Sequence, residues 1–300
     1  MNTLIFSFSI QSFIAFYQVI FQAPVGLFFL GENNFGENLN GVAKIGDFIR
    51  GYGALSHPNI LGLSSLILYF LARKSSLNFL KNLMIIGIFF SFSKTAIIGF
   101  FILKFYEKIF LHEEKKFFDL TNFFNPQKKF FYNKIKIFYT IFYSSIFFSI
   151  FFFVGDKILM RFQNFFGIGF QERILQFEIA EKIFVKNLEN FNLFGIGFGN
   201  FTLQMQNFTD KILKPWEFQP VHNFFILFGT EVGIFGLTIL LFLMSFLFFK
   251  STKKPSEKIF LLLLLFFGSF FDHFLLSSTI GIILFWTILK NFNFFAKIPS

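Results

Sequence analysis

The chain has 300 residues, 54% of them hydrophobic and only 15% charged, with a mean hydropathy of +0.62. Soluble domains carry about 25% charged residues, so this composition predicts an all-α integral membrane protein. The absence of cysteine excludes disulfides, thiolate metal sites and a cysteine nucleophile. The net charge of +10 collects in basic loops of the kind retained in the cytoplasm, so no nucleic-acid partner is expected.

Apolar stretches at about 4 to 30, 54 to 72, 79 to 92, 95 to 111, 137 to 155, 223 to 249, 259 to 276 and 277 to 290 predict roughly eight membrane passages. The first lacks a basic leader and a small-residue cleavage site, so it reads as an uncleaved membrane helix. Along it, Gln11, Gln18 and Gln22 predict a face turned to other helices. An external loop follows over 31–58, and Pro58 predicts a helix start. Ser91, Ser93, Lys94 and Thr95 interrupt the apolar run over 79–111 and predict an end or a re-entrant turn.

With both termini in the cytoplasm, seventeen of the 27 basic residues fall inside, while residues 156–221 carry seven basic and seven acidic side chains. Charge bias therefore puts 156–221 outside, as a large, partly helical loop between the membrane helices of 1–155 and those of 222–300. Within it, Glu172 to Asn190 spaces Leu175, Ile179 and Ile183 as the apolar face of an amphipathic helix, with Ala180, Phe184 and Leu188 beside them. Arg173 at the start of that helix would add a guanidinium to the positive dipole end, an arrangement suited to an anion. The charge pattern also fits a surface arginine paired with Glu172 or Glu178. Two Phe-Gly-Ile-Gly-Phe segments, 166–170 and 194–198, flank the helix and predict tight turns. No strand pattern precedes them and no Walker lysine follows, so they do not bind a nucleotide.

Gln219-Pro-Val-His222-Asn223 then leads into the most apolar stretch of the chain. His222 stands where a polar loop becomes a membrane helix and is a candidate proton acceptor, since its ordinary pKa of ~6.5 lies close to neutrality. Capping the helix is its alternative role, one that Asn223 can also fill. Glu231 lies roughly 180° around a straight helix from His222 and ~13 Å along it, too far for contact, and is expected to bond a neighbouring helix. Asp272 and His273 are expected on the same side of the membrane as His222, as a polar pair that packs helices together in preference to a supporting role beside His222. His57 is expected to order its own loop, and His112 falls in a charged cytoplasmic run. No pair among histidines 57, 112, 222 and 273 has zinc-ligand spacing with a carboxylate, so no metal is expected.

Several blocks occur in a fixed order: Arg50-Gly-Tyr-Gly53 before His57-Pro-Asn59, Ser91-Phe-Ser-Lys94, Glu172-Arg173, Leu193-Phe-Gly-Ile-Gly-Phe-Gly-Asn200-Phe201, and Gln219 to Asn223 with Glu231-Val-Gly233 and Gly236. In these the chain resembles the O-antigen ligase and O-antigen polymerase superfamily of bacterial membrane glycosyltransferases, over about residues 45 to 240. Members usually carry several more membrane helices before the His-Pro-Asn block, where this chain has one. Arginine is also common where Lys94 stands, so a bidentate phosphate contact becomes a point-charge contact.

The resemblance implies a multi-pass protein of the bacterial inner membrane. It would transfer a glycan from a polyprenyl diphosphate donor to a lipid, glycan or protein hydroxyl on the periplasmic face. His222 would take the hydroxyl proton, and Arg173 with Lys94 or Arg50 would offset charge on the departing diphosphate. Asn223 and Glu231 would contribute to substrate binding, and no cofactor is implied. A polymerase or a protein O-oligosaccharyltransferase would use the same residues. Outside that class stand a transporter lined by Gln22, Glu231 and Asp272, for which no inverted repeat is seen, and a shortened, inactive homologue.

Overall fold

The structure, a computed structural model, describes residues 2–35, 42–72, 78–110, 154–163, 167–250 and 255–291. Helices dominate them: α1 (Asn2–Phe21), α2 (Pro58–Ala72), α3 (Asn78–Phe90), α4 (Lys94–Phe110), α5 (Ile168–Glu189), α6 (Phe201–Gln204), α7 (Phe224–Lys250), α8 (Pro255–Phe271), α9 (Phe274–Ser277) and α10 (Thr279–Asn291). The strands β1 (Lys44–Ile45) and β2 (Phe48–Ile49) form one antiparallel hairpin, with Lys44 opposite Ile49. The chain divides into two compact units, residues 1–99 with 165–300, and residues 100–164. In the second unit the described residues are helical, and Lys104 pairs with Glu107 one turn on at 2.8 Å.

Among the described residues two helices, Asn2–Phe21 and Phe224–Phe246, are long and apolar enough to cross a membrane. Pro58–Ala72, Phe79–Phe90, Phe260–Phe271 and Thr279–Ile288 are apolar but shorter. The expected passage at 137–155 lies almost wholly outside the described residues. The first apolar stretch ends as a helix at Phe21 rather than near residue 30, because Gln22 turns into the left-handed region at φ 52°. Beyond it the chain winds around the Glu32 carboxylate, which accepts the amides of Val25, Gly26 and Leu27 at 2.6–2.9 Å and the Gln18 side-chain amide at 2.8 Å. Gln18 Oε1 takes the Tyr52 and Gly53 amides, Gln11 takes Ala54, and Gln22 takes Ile49. The glutamine face of α1 therefore holds the 22–56 loop, where the sequence suggested other helices. Helix–helix packing of α1 runs instead through Ser9 and Ser12, which turn their hydroxyls to α1's own carbonyls and lie against α3.

The interrupted run over 79–111 is two helices. Ser91 and Phe92 leave α3, Phe92 at φ 49°, and the Ser93 hydroxyl accepts the Ala96 amide, capping α4. Helix α2 begins at Pro58 as its ring predicts, and α8 and α10 pack on it.

Helix α5 buries Ile179, Ala180 and Ile183 against Phe201, Met205, Leu213, Val221 and Leu227, with Leu175 packed beside them. Its apolar spacing thus serves a small core under the 191–222 segment, closed on α7. It starts at Ile168, one residue after Gly167, and not at Glu172. Gly167 to Phe170 of the first Phe-Gly-Ile-Gly-Phe segment are therefore the opening of this helix and not a turn. The second segment is a turn, with Gly195, Gly197 and Gly199 all at positive φ.

That turn docks on a break in α7. Gly233, at φ 77° and ψ 178°, interrupts the helix and releases the carbonyls of Thr230 and Glu231. The amides of Ile196 and Gly197 take them at 3.1 and 2.9 Å, and Phe235 N donates to Leu193 O at 3.2 Å. A Cβ at Gly233 would stand 2.1 Å from that Leu193 oxygen, so the close approach requires glycine.

Candidate functional site

Three polar helix ends converge. Asn223 caps α7: its Oδ1 accepts the amides of Phe225 and Ile226 at 3.0 and 3.1 Å, and its Nδ2 reaches Phe270 O at 3.1 Å. The cap fixes the chain just before it, where His222 is 14% exposed at the side chain. The bond to Phe270 ties this end of α7 to the end of α8. There Asp272 Oδ1 accepts the Phe274 amide at 3.1 Å and starts α9. His222 Nδ1 lies 4.0 Å from Asp272 Oδ2, and the rings of His222 and His273 are 5.2 Å apart between centroids. His273 Nδ1 contacts Ser277 Oγ at 2.5 Å.

The third end belongs to α2. Asn59 Nδ2 donates to Asp272 Oδ2 at 3.0 Å, and Asn59 Oδ1 accepts from Arg50 Nη2 at 2.7 Å. Arg50 Nε donates to Ser91 O at 2.9 Å. Arg50 is only 2% exposed, so the side chain expected at a diphosphate is instead a buried strut joining the first loop, α2 and the α3–α4 break. His57 Nδ1 accepts the Asn59 amide at 3.1 Å, ordering its loop as its sequence setting suggested.

Electrostatics follow from burial. Burial pushes His222 down to about 4, and Arg173 and His273 add to this, while Asp272 opposes it. His57 falls to about 3, chiefly by burial and then by the Arg50 charge. His273 is lowered by burial too, with Asp272 again opposing. Burial alone would raise Asp272, but His273, His222 and His57 and the Asn59 hydrogen bond hold it below the usual carboxylate range. At neutral pH the site is thus an aspartate among neutral imidazoles, with Arg173 as a cation within electrostatic reach.

Of the residues singled out in the sequence, His222, Arg173 and Asn223 gather here. Arg173 lies in the second turn of α5, because the helix starts at Ile168, so the helix N-terminus lends it no anion site. Glu231 is 4% exposed and, as expected, bonds a neighbouring helix: its Oε1 accepts the Phe201 amide at 3.1 Å at the start of α6. Lys94 opens α4, three residues after the Ser91 carbonyl that Arg50 holds. Sequence reasoning placed Asp272 and His273 only on the same side as His222. It missed their convergence on one point with Asn59, as the partners are 50 and 213 residues apart. Spacing along the chain also argued against a metal. In space, His222, Asp272 and His273 bring one ligand atom each to within 4.8 Å of one another. Comparison with family models, curated proteins and solved structures finds no match to the chain.

Proposed function

We propose that the protein is a membrane glycosyltransferase that moves a glycan from a polyprenyl diphosphate donor to an acceptor hydroxyl, at the periplasmic face of a bacterial inner membrane. The observation that carries this reading is the neutral His222 beside Asp272, with Arg173 within electrostatic reach of both, at the polar ends of apolar helices. A membrane setting is supported by how α7 presents itself. Its stretch Phe224–Phe246 is apolar almost throughout, and only 28% of the most apolar part is buried. Phe235, Phe242 and Phe246 are more than half exposed. Water would make such a surface costly and lipid would not.

In the transfer, the acceptor oxygen attacks the anomeric carbon and its proton passes to the His222 imidazole. The bond from that carbon to the diphosphate oxygen breaks, and the diphosphate leaves with the electron pair. Asp272, held by Asn59, faces the imidazolium that forms and stabilises it. Arg173, with Lys94, offsets charge on the leaving diphosphate. Lipid, glycan and protein acceptors are served by the same chemistry.

The test is transfer by purified protein in lipid, using a short polyprenyl-diphosphate glycan and a panel of lipid, glycan and peptide acceptors. Wild type transfers to one of them, and His222→Ala loses at least ~10³-fold while still inserting and folding. A folded His222→Ala protein with wild-type transfer refutes the base assignment.

A further inference from the structure

The His222 Nδ1 atom is buried and has no hydrogen-bond partner. Unpaired buried nitrogens are costly. This one points into a cluster that has the chemistry of a metal centre, two imidazoles and a carboxylate, with ligand atoms within 4.8 Å. The outer contacts match as well. Metal-bound histidines usually engage their second ring nitrogen, and metal-bound carboxylates are themselves hydrogen-bonded. Here His273 Nδ1 is taken by Ser277 Oγ, which leaves Nε2 for an ion. Asp272 is fixed by Asn59 Nδ2 and by the Phe274 amide. Around a tetrahedral ion, ligand atoms sit ~3.3 Å apart, so the 4.0 Å between His222 Nδ1 and Asp272 Oδ2 needs less than an ångström of closure, and the 4.8 Å that bounds the cluster at most about 1.5 Å.

We propose that His222, Asp272 and His273 bind one divalent transition metal of the zinc and cobalt class, and that the ion competes with glycan transfer for His222. Two nitrogens and one oxygen suit such ions and leave a position open, whereas magnesium and calcium prefer all-oxygen shells. Ligation through Nδ1 leaves the proton on Nε2, so the imidazole can no longer take one from a hydroxyl. Arg173 lies within electrostatic reach of all three ligands and opposes a dication, which makes the site exchangeable and not structural. The competition rests on the transfer reading; the binding does not.

Protein purified without a histidine tag is titrated with cobalt(II), following visible ligand-field absorption, and with zinc by equilibrium dialysis. Wild type binds one ion. His273→Gln and Asp272→Asn each weaken binding by more than ~100-fold, Ser277→Ala by ~10-fold, and His112→Gln has no effect. Arg173→Ala tightens binding several-fold, a change that a merely unfolded variant cannot mimic. Absence of a cobalt band in folded wild type, or binding that survives both His273→Gln and Asp272→Asn, overturns the site. In a preparation that transfers glycan, zinc at saturating concentration abolishes transfer and chelator restores it; bound zinc with unchanged transfer overturns the competition.

Discussion

Gly233→Ala should detach the 193–197 turn from α7 without touching any residue of the polar cluster. Gly233 lies at φ 77° and ψ 178°, a region nearly closed to residues with a Cβ, where occupancy costs about 1–3 kcal/mol. A Cβ would also stand 2.1 Å from Leu193 O and 2.5 Å from Gly195 N, so the two backbones must part. Parting breaks the bonds Ile196 to Thr230, Gly197 to Glu231 and Phe235 to Leu193, each worth about 0.5–1.5 kcal/mol. The total is about 3–7 kcal/mol. Gly199→Ala is the matched control: φ is 78° there too, but nothing lies within 4 Å of the added methyl, so strain alone contributes, about 1–2 kcal/mol. Hydrogen exchange of the 193–199 amides in lipid reads the difference. Gly233→Ala should accelerate it at least ~100-fold, and Gly199→Ala by about tenfold. Equal exchange in the two variants would refute the argument that this turn is held by backbone contact across the Gly233 break.

Arg50→Ala should lower stability by about 3–5 kcal/mol, because it strands the buried Ser91 carbonyl and Asn59 Oδ1 together. Arg50→Lys should recover only part of this, since one ammonium does not reproduce a guanidinium fork; thermal unfolding in detergent measures both. His57 is neutral in the folded protein down to about pH 3, against ~6.5 unfolded. Between those values the unfolded chain binds a proton that the folded chain does not. Stability should therefore fall as pH drops from ~6.5, by up to about 1.4 kcal/mol per pH unit for this residue, and His57→Asn should flatten that slope in melts from pH 7 to 4.5. Lys94→Met should slow transfer ~10- to 100-fold with binding of the acceptor unchanged, and Lys94→Arg should retain or raise the rate, as read by steady-state kinetics.

What the sequence made legible was local. Pro58 starts α2, Ser91 and Ser93 divide α3 from α4, and the spacing of Ile179 and Ile183 gives the buried face of α5. Each depends on contacts within a few residues, where ring constraint, capping and helical period act. The start of α5 was misplaced because Gly167 caps it through backbone geometry, which a glycine between a phenylalanine and an isoleucine does not advertise. That Glu231 bonds a neighbouring helix was legible, but which helix was not. Its partner, the Phe201 amide, arrives only because the Gly233 break admits the turn, a tertiary event with no periodic signature. The same holds for His222 and Asp272, whose pairing depends on Asn223 tying α7 to the last turn of α8.

The two blocks Arg50-Gly-Tyr-Gly and His57-Pro-Asn59 become one device in three dimensions. An asparagine amide can present either its oxygen or its nitrogen to a neighbour. Arg50 is a donor only, so it claims Oδ1 of Asn59 and thereby turns Nδ2 toward Asp272. Asp272, fully enclosed, needs donors to remain ionised, and the oriented Asn59 supplies one while leaving the carboxylate charge directed at His222 and His273. A buried guanidinium thus orients one of the groups that, with the three imidazoles, hold Asp272 below the usual carboxylate range. The arginine that the resemblance would assign to a diphosphate is placed to orient an amide.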